Sequence, residues 1–223
     1  MEREQLVENS SINETIYRCL EYIQEKDREK FLRKFCQLKN VDNQFQHTYR
    51  ELLIGAFLVS RKNGVHYNKE IDNQTPDWIL QDKESGIQCI IEVVNFHLNN
   101  TLEQGVIHNL ENEHSSFVAV PPNNQRLHQA IERKIEKYTN LVSTQNTPYI
   151  VVLSSLPTAD VNSEEPIECL DGESGLFKNY RILTGVMLVY QQAFPDELID
   201  RYVFKHVFEY FANPRTIRPY SLP

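Results

Sequence analysis

The chain has 223 residues, 40% hydrophobic and 24% charged, and a formal net charge of −8. That length suits a single domain with a buried core, and the composition is that of a globular protein rather than a disordered or fibrous one. The acidic balance excludes a generally basic nucleic-acid binder, but it leaves room for a local positive patch or for a carboxylate site that a cation neutralises.

Residues 10–40 read as two short helices. Ser11, followed three positions later by Glu14, has the form of a capping box, and Ile16, Leu20 and Ile23 recur at helical spacing. Phe31, Phe35 and Leu38 continue that spacing through a highly charged segment, EKDREKFLRKFCQLK. Residues 1–42 are therefore expected as a helical appendage. It either packs plainly on the main domain or acts as a lid or a surface for a protein partner. Residues 43–223 are expected as one core. In it, a longer helix from about Gln44 to Arg61 has Leu52, Leu53, Ala56, Phe57 and Leu58 on its apolar side, and Asn63-Gly64 ends it. Val65 to Lys69 then reads as a strand.

The stretch Thr75 to Asn95, TPDWILQDKESGIQCIIEVVN, reads as two strands around a polar turn closed by Gly86. Its second strand, Ile87 to Val94, is almost continuously apolar, as a strand buried on both faces would be. Glu92 interrupts that run. A buried carboxylate is costly unless a cation pairs with it, and a divalent metal is the partner best suited to two converging carboxylates. Asp77, directly after Pro76, is the second carboxylate; its alternative role is that of a strand-entry turn residue. Glu51, on the preceding helix, is either a third member or an ordinary helix glutamate.

Residues 97–115 are polar and rich in Asn, and read as a loop with some helix. Asn95 and His97 either line the site or are plain loop residues, and His108 and His114 read as surface residues. After Pro121-Pro122, a helix runs from about Asn124 to Val142. Its apolar seam is Leu127, Ile131, Tyr138 and Leu141, and Lys134 fills the gap in that seam. Lys134 either snorkels to water or aims its ammonium at the glutamate-bearing strand. Tyr149 to Leu153 is a buried strand, residues 156–175 read as an acidic irregular excursion, and strands follow at Val186 to Tyr190 and Tyr202 to Phe208. This order predicts an α/β (α+β) fold in which a mixed sheet is flanked by helices.

Cys19, Cys36, Cys89 and Cys169 show no paired or zinc-like spacing and are expected as free thiols in a reducing compartment. The opening MEREQ lacks the pattern of a signal peptide, and no apolar run approaches membrane-spanning length, so a cytoplasmic protein without membrane contact is expected. HExxH, GxSxG and GxxxxGK[ST] patterns are absent.

Across roughly residues 45–155, the sequence resembles the PD-(D/E)XK superfamily of restriction-endonuclease-like nucleases. Glu51 matches the glutamate of that family's first core helix, Pro76-Asp77 the PD half-motif, and Glu92 in IIEVVN the (D/E) position. KIEKY, from Lys134 to Tyr138, resembles the family's following helix. The motif lysine is replaced by Val94, and Lys134 is the candidate for a migrated lysine. The resemblance implies a restriction-endonuclease-like fold and a Mg²⁺- (or Mn²⁺-) dependent endonuclease acting on nucleic acid, DNA in the first place. It assigns Asp77 and Glu92 as metal ligands, Glu51 as a ligand or an outer carboxylate, and Lys134 as the transition-state cation. Gln129, Arg133 and Lys137 are the backbone-contacting candidates. Homodimers are common in the family and are an allowed assembly here. The alternative is a catalytically lapsed member of the same fold that binds protein or nucleic acid.

Overall fold

The computed structural model describes residues 10–38, 42–61, 64–82, 86–96, 123–155, 164–196, 201–220 and 222. Two compact units divide between Glu92 and Val93. The polar stretch 97–115, with His97, His108 and His114, lies outside the described residues, as do Asn63 and the turn residues 83–85.

The first unit contains α1 (Ser10–Tyr22), α2 (Glu25–Gln37), α3 (Asp42–Arg61), β1 (Val65–Tyr67), β2 (Trp78–Asp82) and most of β3 (Gly86–Phe96). The two expected N-terminal helices are present, although α1 begins at Ser10, ahead of the predicted cap. Both pack on α3, because Ile16, Leu20, Phe31 and Phe35 form apolar stripes that are fully or almost fully buried. This segment is therefore part of the first unit's core. On α3, Leu52, Ile54 and Leu58 are buried, while Leu53 and Phe57 stay half-exposed.

Aromatic side chains fill the space between helices and strands. Phe31 stacks on Tyr67 with ring centroids 4.1 Å apart, and Trp78 lies 4.9 Å from Tyr67. α3 comes this close to β2 because position 55 has no side chain: a Cβ there would sit 2.0 Å from the Trp78 ring. Gly55→Ala is thus expected to destabilise the first unit by about 1–3 kcal/mol through overpacking. Trp78 is the chain's single tryptophan, so its fluorescence during urea unfolding reports that change. An unshifted midpoint would show that the ring has room to move aside.

β1 and β2 run antiparallel, as do β2 and β3, with a bulge between Leu80 and Gln81. The predicted antiparallel strand pair is thus observed, and Gly86, opposite Asp82 at its end, has a φ of 79°. The outer edge of β1 is covered by side chains of α2. Gln24 donates to Val65 O at 3.2 Å, Asp27 Oδ2 accepts from the Tyr67 N–H at 3.2 Å, and Lys30 donates to Tyr67 O at 2.9 Å. These contacts satisfy backbone groups that an uncovered edge would offer to another chain.

The second unit holds α4 (Asn123–Gln145), β4 (Tyr149–Ser155), α5 (Glu164–Asp171), α6 (Leu176–Asn179), β5 (Gly185–Asp196) and β6 (Arg201–Ala212). β4 and β5 pair in parallel, and β5 and β6 antiparallel. Residues 149–153 and 186–189 are buried, as their apolar runs predict. Two readings are corrected here. Part of the acidic excursion is helix α5, which Cys169 and Leu170 anchor by burial. The α4 seam is completed by Ile135, fully buried, rather than by Lys134, which is half-buried. Ile135 stands four residues after Ile131 and three before Tyr138, so it meets the helical repeat as well as position 134 does and has no charge to desolvate.

Helices and strands occur in both units and strand pairing is of both senses, so the chain is α/β in the broad sense predicted. Among the described residues, no helix is long and apolar enough to cross a membrane.

Candidate functional site

The register of the hairpin brings two of the predicted residues together. Tyr67 pairs with Trp78, and Trp78 with Ile91. One step along these antiparallel strands, Asp77 comes opposite Glu92. The Asp77 N–H donates to Glu92 Oε1 at 2.9 Å, and the Asp77 carbonyl accepts from Asn68 N–H at 3.0 Å. Glu92 is 0% exposed, whereas Asp77 is half-buried. A carboxylate with no solvent contact thus faces a second carboxylate that keeps some.

Glu51 is engaged elsewhere. Strand alternation places Tyr67, Trp78 and Ile91 on the face that meets the helices and turns the Glu92 side chain to the other face. Glu51 belongs to the helix-facing side. Its backbone carbonyl accepts from Trp78 Nε1–H at 3.1 Å. Its buried carboxylate accepts from the Tyr67 hydroxyl, from Lys34 Nζ at 3.3 Å and from His47 Nε2 at 3.0 Å. Lys34 also contacts the Tyr67 hydroxyl and lies 5.0 Å above its ring.

This arrangement governs protonation. Burial alone would push the Glu51 carboxyl up, but the hydrogen bond and charge of His47, the Lys34 ammonium and the Tyr67 hydroxyl outweigh it and hold Glu51 below its ordinary value of 4.5. Burial, and then the charge of Glu51 and its hydrogen bond, push the Tyr67 hydroxyl well above its ordinary value; the Asp77 charge adds to this. Tyr67 is therefore a neutral donor that links the Glu51 set to Asp77 electrostatically. With Glu51 more acidic in the folded than in the unfolded chain, the unfolded state binds more protons, so this stabilisation is complete above the unfolded value and fades as pH falls through the folded one. Thermal melts below pH 4.5 should show acid destabilisation that is shallower in Glu51→Gln; parallel curves for the two proteins would remove Glu51 as its source.

The sequence-predicted trio thus separates into a facing pair, Asp77 and Glu92, and a Glu51 committed to His47, Lys34 and Tyr67. Among the described residues, no group of three or more His, Cys, Asp or Glu is placed to hold a metal ion. Two hard carboxylates do suit Mg²⁺, which commonly takes one or two protein ligands and completes its shell with water and phosphate oxygens. Lys134 belongs to the second unit, where its backbone carbonyl accepts from the Tyr149 hydroxyl at 3.0 Å. Gln129, Arg133 and Lys137 are exposed on successive turns of α4, and the Lys137 ammonium sits 4.6 Å from the Tyr138 ring centroid.

Sequence reasoning missed Lys34, His47 and Tyr67. One signal was available for His47, which stands four residues before Glu51 on a helix. Lys34 adjoins the Phe31–Phe35 stripe, but nothing local says which strand that stripe covers.

All four cysteines are free thiols. Burial pushes Cys19 up to about 11 and Cys169 up to about 12, and it also raises Cys89. Only Cys36 is exposed, so a thiol reagent should modify one cysteine rapidly and the other three only on unfolding. Rapid modification of two or more would contradict the packing described. Comparison of the chain with protein-family models, with curated proteins and with solved structures gives no match.

Proposed function

We infer that this protein is a metal-dependent nuclease of the PD-(D/E)XK type, with a restriction-endonuclease-like fold, that hydrolyses phosphodiester bonds in DNA. The observation that carries this reading is the fully buried Glu92 carboxylate set opposite Asp77 across the β2–β3 pair. Asp77 and Glu92 would hold Mg²⁺ or Mn²⁺, the Asp77 N–H fixing one Glu92 oxygen so that the other is oriented. The bound ion would polarise the scissile phosphate and lower the pKa of a water. Glu51, on the helix-facing side with Lys34 and Tyr67, would be an outer carboxylate whose set reaches the pair through the Asp77 charge felt at the Tyr67 hydroxyl. Lys134 is the lysine put forward by motif order, and Lys34 is the one that the first unit itself holds beside a carboxylate; either would offset charge developing on the phosphate.

Val94 in the place of the family's lysine and the net charge of −8 favour a second reading, a lapsed site serving a binding module. A cleavage assay separates the two. Plasmid, linear duplex, single-stranded DNA and RNA are incubated with Mg²⁺ or Mn²⁺, with EDTA as control, for the wild type and for Asp77→Ala, Lys134→Ala and Lys34→Ala. The nuclease reading requires metal-dependent cleavage that Asp77→Ala loses, and whichever lysine variant also loses it identifies the cation. If no substrate is cut and no metal raises the melting temperature, the binding module is the better account.

A further inference from the structure

We propose that the outer edge of β6 is an interface at which a second copy of this chain adds its own β6, antiparallel, about a two-fold axis through Val207. The proposal is independent of the nuclease reading. β6 pairs with β5 along its whole length, from Gly185↔Ala212 to Asp196↔Arg201. It is also the last strand in the order, and among the described residues no strand lies beyond it. His206 to Phe211 are half-buried, with Lys205 and Ala212 exposed on either side of them. Alternation puts His206, Phe208 and Tyr210 on one face and Lys205, Val207, Glu209 and Phe211 on the other. A long terminal strand with apolar residues on both faces is a template for another strand.

The order of the charges names the second copy as the occupant. Directly opposed residues of an antiparallel pair point to the same face, so a two-fold axis between identical strands passes through a residue, not between two. An axis through Val207 sets Lys205 opposite Glu209 of the second copy, and symmetry repeats that pair on the other side of the axis. Val207 then meets its own copy between the two ion pairs. On the opposite face the same register sets His206 against Phe208, again twice. The neighbouring registers lack this match. An axis through His206 or Phe208 places Val207 against Lys205 or Glu209, and an axis through Lys205 or Glu209 opposes like charges, which is destabilising.

Charged residues commonly guard an edge strand against pairing. On β6 the two signs stand where the two-fold register joins them, so they select one alignment instead of forbidding all. Glu209 adds a second argument. Its side chain is half-buried, and among the described residues no lysine or arginine forms an ion pair with it. Lys205 of a second copy would supply that cation.

The test is analytical ultracentrifugation of the full chain over a series of protein concentrations. The wild type should show a reversible monomer–dimer equilibrium. Lys205→Glu and Glu209→Lys, each alone, oppose like charges at two places and should each raise the dissociation constant of the dimer at least about tenfold. Mixed in equal amounts, the two variants should form a heterodimer about as tight as the wild-type dimer, because opposite charges meet again at both places. Lys205→Glu/Glu209→Lys should dimerise by itself for the same reason. Thermal melts matching the wild type would show that the single variants are folded, and their recovery of a dimer on mixing would show it a second way. The proposal is overturned if the wild type stays monomeric throughout the series, or if either single reversal dimerises as the wild type does. It is equally overturned if two folded single variants fail to pair when mixed.

Discussion

On the proposed nuclease reading, metal-dependent cleavage by the Glu92→Gln protein is expected to fall by at least about a hundredfold, because losing the charge of a proposed ligand should exceed the 10–100-fold typical of losing an outer partner. The fold should hardly notice. Glutamine keeps an oxygen to accept from the Asp77 N–H, now at 2.9 Å, and it removes an anion that is 0% exposed and faces a second carboxylate. Without metal, Glu92→Gln should therefore melt close to the wild-type temperature. With metal the order reverses: at a hundredfold excess over its dissociation constant, a ligand stabilises the wild type by about 2.7 kcal/mol, and Glu92→Gln should gain almost none of this. Glu92→Ala differs, since it strands the Asp77 N–H and should cost about 1–3 kcal/mol even without metal. Parallel melting of wild type and Glu92→Gln with Mg²⁺, Mn²⁺ and EDTA reads both effects. Equal metal response in the two proteins, or equal cleavage, would remove Glu92 from the site.

Trp78→Ala should be the most destabilising single substitution in the first unit, at about 3–5 kcal/mol. The indole is fully buried, lies against Tyr67 and Phe31, and donates to Glu51 O at 3.1 Å. Its removal opens a cavity beside Gly55, where no side chain is available to fill the space. Because the tryptophan signal disappears with the mutation, circular dichroism during urea unfolding is the measurement, and the midpoint should fall sharply with little change in slope. Trp78→Phe, which keeps an aromatic ring but loses the hydrogen bond, should cost clearly less. If the alanine and phenylalanine proteins unfold at the same midpoint, the cavity argument fails.

Much of the local architecture was legible in the residues. The 3.6-residue spacing of Ile16, Leu20, Phe31 and Phe35 marked two helices, and both exist. The almost continuously apolar run from Ile87 to Val94 marked a strand buried on both faces, and Cys89 to Val94 are buried. The meeting of Asp77 and Glu92 was also legible, since two strands adjacent in the chain and separated by a short polar segment pair antiparallel in few registers. Chain pattern determines such features because each depends on neighbours in sequence.

Tertiary structure decided the rest. Glu51 reads alike whether it holds a metal, faces water or pairs with a lysine. Its actual partners, Lys34 and Tyr67, lie 17 and 16 residues away in sequence and meet it only because α2 packs over the edge of β1. Ile135 rather than Lys134 fills the α4 seam because burying an ammonium costs far more than burying a methyl group. Periodicity tells which side of an element is apolar; which ridge settles on which edge, and so which polar groups meet, is set by packing between segments distant in the chain.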